Sequence, residues 1–135
     1  MEAELRNLFY ASIEAFAESE GVRVSMPNVE FTPPGRNDVY LKVFTLPVPQ
    51  TVLTVCGGIS ENEWILQVSI YTRIDTGEIR GLELADKLRA AYPVTHEFTG
   101  ANHRFKVIRP PSPRPPILMD GWHSIPVRFR VNTFS

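Results

Sequence analysis

Apolar and polar positions alternate from Trp64 to Ile74, and that period of two predicts one long strand. Trp64, Leu66, Val68, Ile70 and Ile74 share one face. Gln67, Ser69, Tyr71 and Arg73 share the other, with Ile65 as the exception. Asp75, Thr76 and Gly77 break the run with side chains suited to a turn and a helix start. The period then lengthens: Gly81, Leu84, Ala85, Leu88, Ala91 and Tyr92 recur at helical spacing, and Pro93 ends the helix. A strand with one apolar face and a helix with one apolar stripe are expected to cover each other.

The same reading gives an amphipathic helix over residues 2–19, with Leu5, Leu8, Phe9, Ser12, Ile13, Phe16 and Ala17 on one face and Gly21 as its left-handed cap. Short strands are expected at Val22–Val24 and Val94–Phe98, and longer ones at Val39–Leu46 and Thr51–Cys56. Pro47 and Pro49 should interrupt the last two. With the 63–74 strand these build a long hairpin whose tip lies near Gly57–Asn62. Val52, Leu53 and Val55 on that hairpin either form an exposed contact patch or enlarge the core. Phe105–Arg109 is a strand, and the proline-dense run 110–116 reads as a stiff connector tending to polyproline II. Trp122–Thr133 is the final strand, and Pro126 inside it calls for an edge position or a bulge. The order of elements is α+β: a mainly antiparallel β-sheet with two α-helices packed on one face, plus an extended hairpin, in a single domain over residues 1–135.

Composition narrows function. A net charge of −1 argues against a chain that holds nucleic acid by bulk electrostatics. The charge is unevenly placed: residues 1–30 carry six acids and two bases, residues 100–135 six bases and one acid. Either solvated elements simply differ in charge, or identical neighbours meet head to tail through an acidic and a basic surface. The lone Cys56 excludes an internal disulfide, and its Cys56-Gly57-Gly58 setting carries no nucleophile signature. His96, His103 and His123 lack metal-ligand spacing, so neither a metal nor a cofactor is expected. The acidic pairs Glu61, Glu63 and Asp75, Glu78 read as solvated surface. Lys42, Arg73, Lys106, Arg128 and Arg130 form an alternating basic surface suited to a polyanion or an acidic neighbour. The acidic, helical N-terminus is unlike a secretory signal, and no apolar run is long enough to span a bilayer, so the expectation is a chain made in the cytoplasm.

The ordered set of motifs resembles the tail terminator-like proteins of long-tailed bacteriophages and prophages. It consists of the helix ending at Gly21, the segment Val29, Phe31, Thr32, Pro33, Pro34 leading to Tyr40-Leu41-Lys42-Val43, and the Leu46-Pro47 and Pro49 break. Gly57-Gly58 before Trp64, Leu66, Gln67, Val68, Ile70 and Tyr71 follows, then the Leu84-Ala85-Asp86 helix, the proline-dense loop before Gly121-Trp122, and Pro126-Val127. The resemblance implies a virion structural protein without catalysis, made in the bacterial host cytoplasm and placed at the neck end of the tail. It would form a ring, typically of six copies, that stops polymerisation of the tail tube protein and offers a surface to the head-tail connector protein. DNA would pass through the lumen without specific binding, and no membrane is involved. The implied subunit or tube contacts are Val52, Leu53, Val55, Gly57, Gly58, Glu61 and Asn62, with Asn132 to Ser135, including Phe134, as a second candidate. The alternatives are another neck or head-completion protein, or a small ligand-binding or hydrolytic domain using Cys56.

Overall fold

Helix α1 runs Glu2–Glu20 and buries Leu5, Phe9, Ile13 and Ala17, the single row that its four-residue spacing sets out. Leu8 and Phe16 pack beside this row, partly buried. Gly21 ends the helix in the left-handed conformation, φ 69° and ψ 29°, which costs a residue without Cβ nothing. The structure, a computed structural model, describes residues 1–31, 39–52, 60–73, 79–119 and 121–134. Ile74 and the turn residues Asp75, Thr76 and Gly77 lie outside them.

The strands are β1 (Arg23–Ser25), β2 (Tyr40–Val52), β3 (Ser60–Arg73), β4 (Glu97–Thr99), β5 (Arg104–Pro113), β6 (Ile117–Met119) and β7 (Trp122–Phe134), with helix α2 (Ile79–Ala91) between β3 and β4. They form one sheet in the order β1-β2-β3-β7-β5-β4, and β6 pairs with β7. Among these pairings only β1 with β2 is parallel. The fold is thus α+β and mainly antiparallel, and both helices pack into one core.

Register assembles that core. Leu41 faces Ile70, and Ile70 faces Ile125; Val43, Val68 and Val127 make the next row; Thr45, Leu66 and Phe129 the third; Trp64, Val131 and Val107 the fourth. All twelve side chains are buried, because the pleat sends every second residue of each strand to the same side. Helix α2 covers β3, β5 and β7 with Gly81, Leu84, Ala85 and Leu88, while Ala91 is exposed and Tyr92 buried. Helix α1 touches β1 and β2 but also β4. Since β1 and β4 are opposite ends of the strand order, the sheet curls around α1. Phe9 fills the concavity, edge-on to Phe98 and Phe129 at 6.4 and 5.8 Å. Tyr92 stacks on Phe129 at 5.1 Å and shares a hydrogen bond of 2.6 Å with Ser12.

A polar clasp completes the closure. The Glu4 carboxylate accepts the Asn102 backbone N–H at 2.8 Å and contacts His103 Nδ1 at 2.6 Å. The Asn102 amide, then His103, hold the Glu4 carboxyl below its ordinary value of 4.5. A depressed carboxyl contributes stability that is present above the unfolded value and is lost as pH falls through the folded one. Glu4→Gln is therefore expected to destabilise the chain at pH 7, and the deficit should vanish in urea melts below the depressed value. Gly100 lies so close that an added Cβ would collide with the Glu4 carboxylate. Gly100→Ala should displace Glu4 and break the same bonds, so the two substitutions together should cost little more than either alone.

Prolines interrupt less than their sequence suggests. β2 continues through Pro47 to Val52, with one register shift between Val48 and Thr51. β5 continues through Pro110, Pro111 and Pro113, with shifts on both sides of Arg109. Residues 110–113 are therefore strand, not a connector, because Arg109 and Ser112 keep the pairing with β7. Pro126 is neither at an edge nor at a bulge: β7 is central, between β3 and β5. Its carbonyl accepts the Arg114 N–H at 2.7 Å, so its nitrogen points to the same side. There β5 has ended at Pro113 and β6 begins at Ile117, and no ladder partner needs the missing N–H.

Candidate functional site

The helix-free face of the sheet carries the chain's clustered charge. Across four strands, Leu46 pairs with Ile65, Ile65 with Arg130 and Arg130 with Arg109; beside them run Phe44, Gln67, Arg128 and Ser112. Ile65, Arg109, Ser112, Arg114, Arg128 and Arg130 border a groove of about 260 Å³. Arg128 donates to Gln67 at 2.7 Å and Arg130 to Glu63 at 3.2 Å. Arg109 and Arg114 are exposed, and among the described residues neither side chain has an ion-pair or hydrogen-bond partner.

Of the five basic residues singled out from sequence, Arg128 and Arg130 thus meet in the groove. Lys106 pairs in register with Asn132 one step further along. Lys42 lies over the Phe44 ring at 5.5 Å. Arg73 is remote from the groove, its guanidinium 3.9 Å above the Trp122 ring. The sequence reading missed Arg114 because it lies within the proline run that looked like a connector, and Arg109 because only the register shifts beside it in β5 bring it opposite Arg130.

The two ends of the long strands differ in chemistry. At one end Tyr40 stacks on Tyr71 at 4.6 Å and meets Trp122 edge-on at 4.9 Å, and Phe31 packs on Tyr40 at 5.1 Å. Burial, then the neighbouring Tyr71, raises the Tyr40 phenol above its usual value. Ile117 and Leu118, beside the start of β7, are 49% and 68% exposed. At the other end Val52 pairs with Ser60, Thr51 with Glu61, and Glu61 in turn with Phe134. Glu61 and Asn62 are accordingly strand residues rather than the loop tip expected, and Glu61 accepts a bond of 2.7 Å from Asn132. Phe134 is 57% exposed. Leu53, Val55, Cys56, Gly57 and Gly58 lie outside the described residues. The thirteen residues of β7 separate these ends by roughly 40 Å at the usual rise per residue.

The histidines sit apart: His103 on Glu4, His96 edge-on to Tyr92 at 5.4 Å, and His123 paired in register with Thr72. No three metal-ligating side chains gather among the described residues, and no helix among them is long and apolar enough to cross a membrane.

A solved structure bearing no descriptive name matches with a TM-score of 0.80 at 22% identity, covering 98% of this chain and 95% of that one. Likeness at that identity establishes a shared fold. No curated protein matches. A family model described as "Phage tail terminator protein" matches residues 4–130, a span from the Glu4 clasp through the arginines of β7. The chain belongs to the phage tail terminator family.

Proposed function

We propose that copies of this chain close into a ring on the finished tail tube, stop its polymerisation and offer the head connector a docking surface. The observation that carries the reading is a family match over nearly the whole chain, on a rigid sheet whose two ends both expose apolar side chains. Phe134 stands at one end, Ile117 and Leu118 at the other. One end would meet the last tube ring and the other the connector, at the neck of the virion. The role is recognition and capping rather than a reaction. DNA would cross the lumen without specific contacts, as a net charge of −1 allows. Val52, Leu53, Val55 and residues 57–62, with residues 132–135 as a second set, are the proposed contacts.

Electron microscopy of particles made by the parent phage with this gene disrupted tests the reading. Overlong, headless tails are the expected result. Tails of normal length that fail to join heads would assign a different neck function, and intact infectious particles would refute a structural role.

A further inference from the structure

The charge of the chain is divided between its two layers. The helix-free sheet face gathers Arg109, Arg114, Arg128 and Arg130 around one groove. The helices carry exposed Glu14 and Glu18 on α1, and exposed Glu83 and Asp86 on α2. Among the described residues none of these four acids has an ion-pair or hydrogen-bond partner. Other helix charges are matched internally, Glu20 with Lys87 at 2.6 Å and Glu2 with Arg6 at 3.1 Å. The unmatched ones therefore stand out on both layers.

Both sets also carry a cost within the single chain. Arg109 and Arg130 are direct cross-strand partners; Glu63 offsets only Arg130, at 3.2 Å, and the like-charge opposition that remains weighs on the sheet. Glu14 and Glu18 are one helical turn apart, as are Glu83 and Asp86, and like charges at that spacing destabilise a helix. A second copy relieves both repulsions at once if its helices lie over the groove. The two surfaces are on opposite layers of the same domain, so such a contact is not two-fold; it repeats head to tail, the kind of contact from which a closed ring is built.

We propose that the arginine groove of one copy receives the acidic helix surface, Glu14 and Glu18 foremost, of the next copy. The proposal rests on the ring reading above and names the contact between its subunits. Complementary charge of this kind sets register and partner choice, and the contact should weaken as salt rises.

The test uses full-length chains and tube polymers from a lysate lacking this gene, with capping read as arrest of further tube growth. One variant reverses the groove (Arg109→Glu with Arg114→Glu), the other the helix (Glu14→Arg with Glu18→Arg). None of these side chains has an ion-pair or hydrogen-bond partner among the described residues, so no native contact is lost: circular dichroism should match the parent's and the melting temperature should not fall, with Arg109→Glu raising it slightly by facing Arg130. Each variant alone should lose capping by about tenfold or more. An equimolar mixture should regain it, since in an alternating ring the reversed groove of one variant meets the reversed helix of the other, and the unreversed groove meets the unreversed helix. If the parent chain caps and both reversed variants cap equally well, the subunit contact is wrong and the ring reading stands. Variants that fail singly and are not restored by mixing would place the groove against the tube or the connector, overturning the proposal. If the parent chain itself leaves tubes growing, the ring reading fails and the contact with it.

Discussion

Phe9→Ala is expected to lower folding stability by about 3–5 kcal/mol, the range for deleting a buried aromatic ring. Phe9 is fully buried. Its ring meets Tyr10, Phe98 and Phe129, with centroids 5.8, 6.4 and 5.8 Å away. These neighbours belong to α1 itself, β4 and β7, so no single shift collapses the void. The Phe98 side is fixed by the β4–β5 pairing, and the Phe129 side by a central strand hydrogen-bonded on both flanks. Domains of this size hold only about 5–15 kcal/mol in total, so the variant should spend a large share of its margin. Equilibrium urea unfolding measures it: the midpoint should fall while the slope stays constant. A loss under about 1 kcal/mol would mean that the sheet relaxes onto α1 far more freely than its pairing suggests.

Gly81→Val is expected to cost about 2–4 kcal/mol, by crowding rather than by a void. A Cβ built on Gly81 falls 2.9 Å from Ile125 Cδ1 and 3.7 Å from Thr72 Cγ2. Both of those residues are buried on the sheet face that α2 covers. Alanine at this position brings two opposed effects: about 1 kcal/mol of helix propensity gained over glycine, and a comparable penalty for pushing back the Ile125 tip. Those should nearly cancel in Gly81→Ala. Valine adds two branches to a Cβ that already crowds Ile125, so α2 is expected to lift from β7. Thermal melts of the two variants side by side decide the matter, and equal melting temperatures would show that α2 is not held at the distance Gly81 permits.

Periodicity carried the fold to the reader where a side chain's burial depends on its own element. The α1 row, the α2 stripe from Gly81 to Leu88, and the two faces of β3 and β7 are all written locally. Prolines misled because their effect depends on what lies beside them. Pro126 sits in a central strand at the one place where the neighbouring strand changes from β5 to β6, and no local pattern announces that gap. The strand at Ile117–Met119 went unseen for the same reason: it exists by pairing with Trp122–Ser124. The groove was half legible. Alternation placed Arg128 and Arg130 on one face, but Arg109 joins them only through a register shift in β5, which is a property of the pair of strands. Glu61 and Asn62 were misplaced in the loop because β7 extends alongside them to Phe134, a contact more than seventy positions away in sequence.

The clasp between Glu4 and the turn at Asn102 and His103 joins positions 98 and 99 residues apart, and this sets when the molecule can become whole. The ribosome delivers the α1 row first, and β4, the edge strand against which it closes, and β7, the strand beneath Phe9, follow it much later. Until then the Leu5, Phe9 and Ile13 row has no complete floor. Contacts this distant slow folding, because the long loops must close before the contacts reward it. A growing chain therefore has no finished groove and no finished helix surface until β7 has paired on both of its flanks.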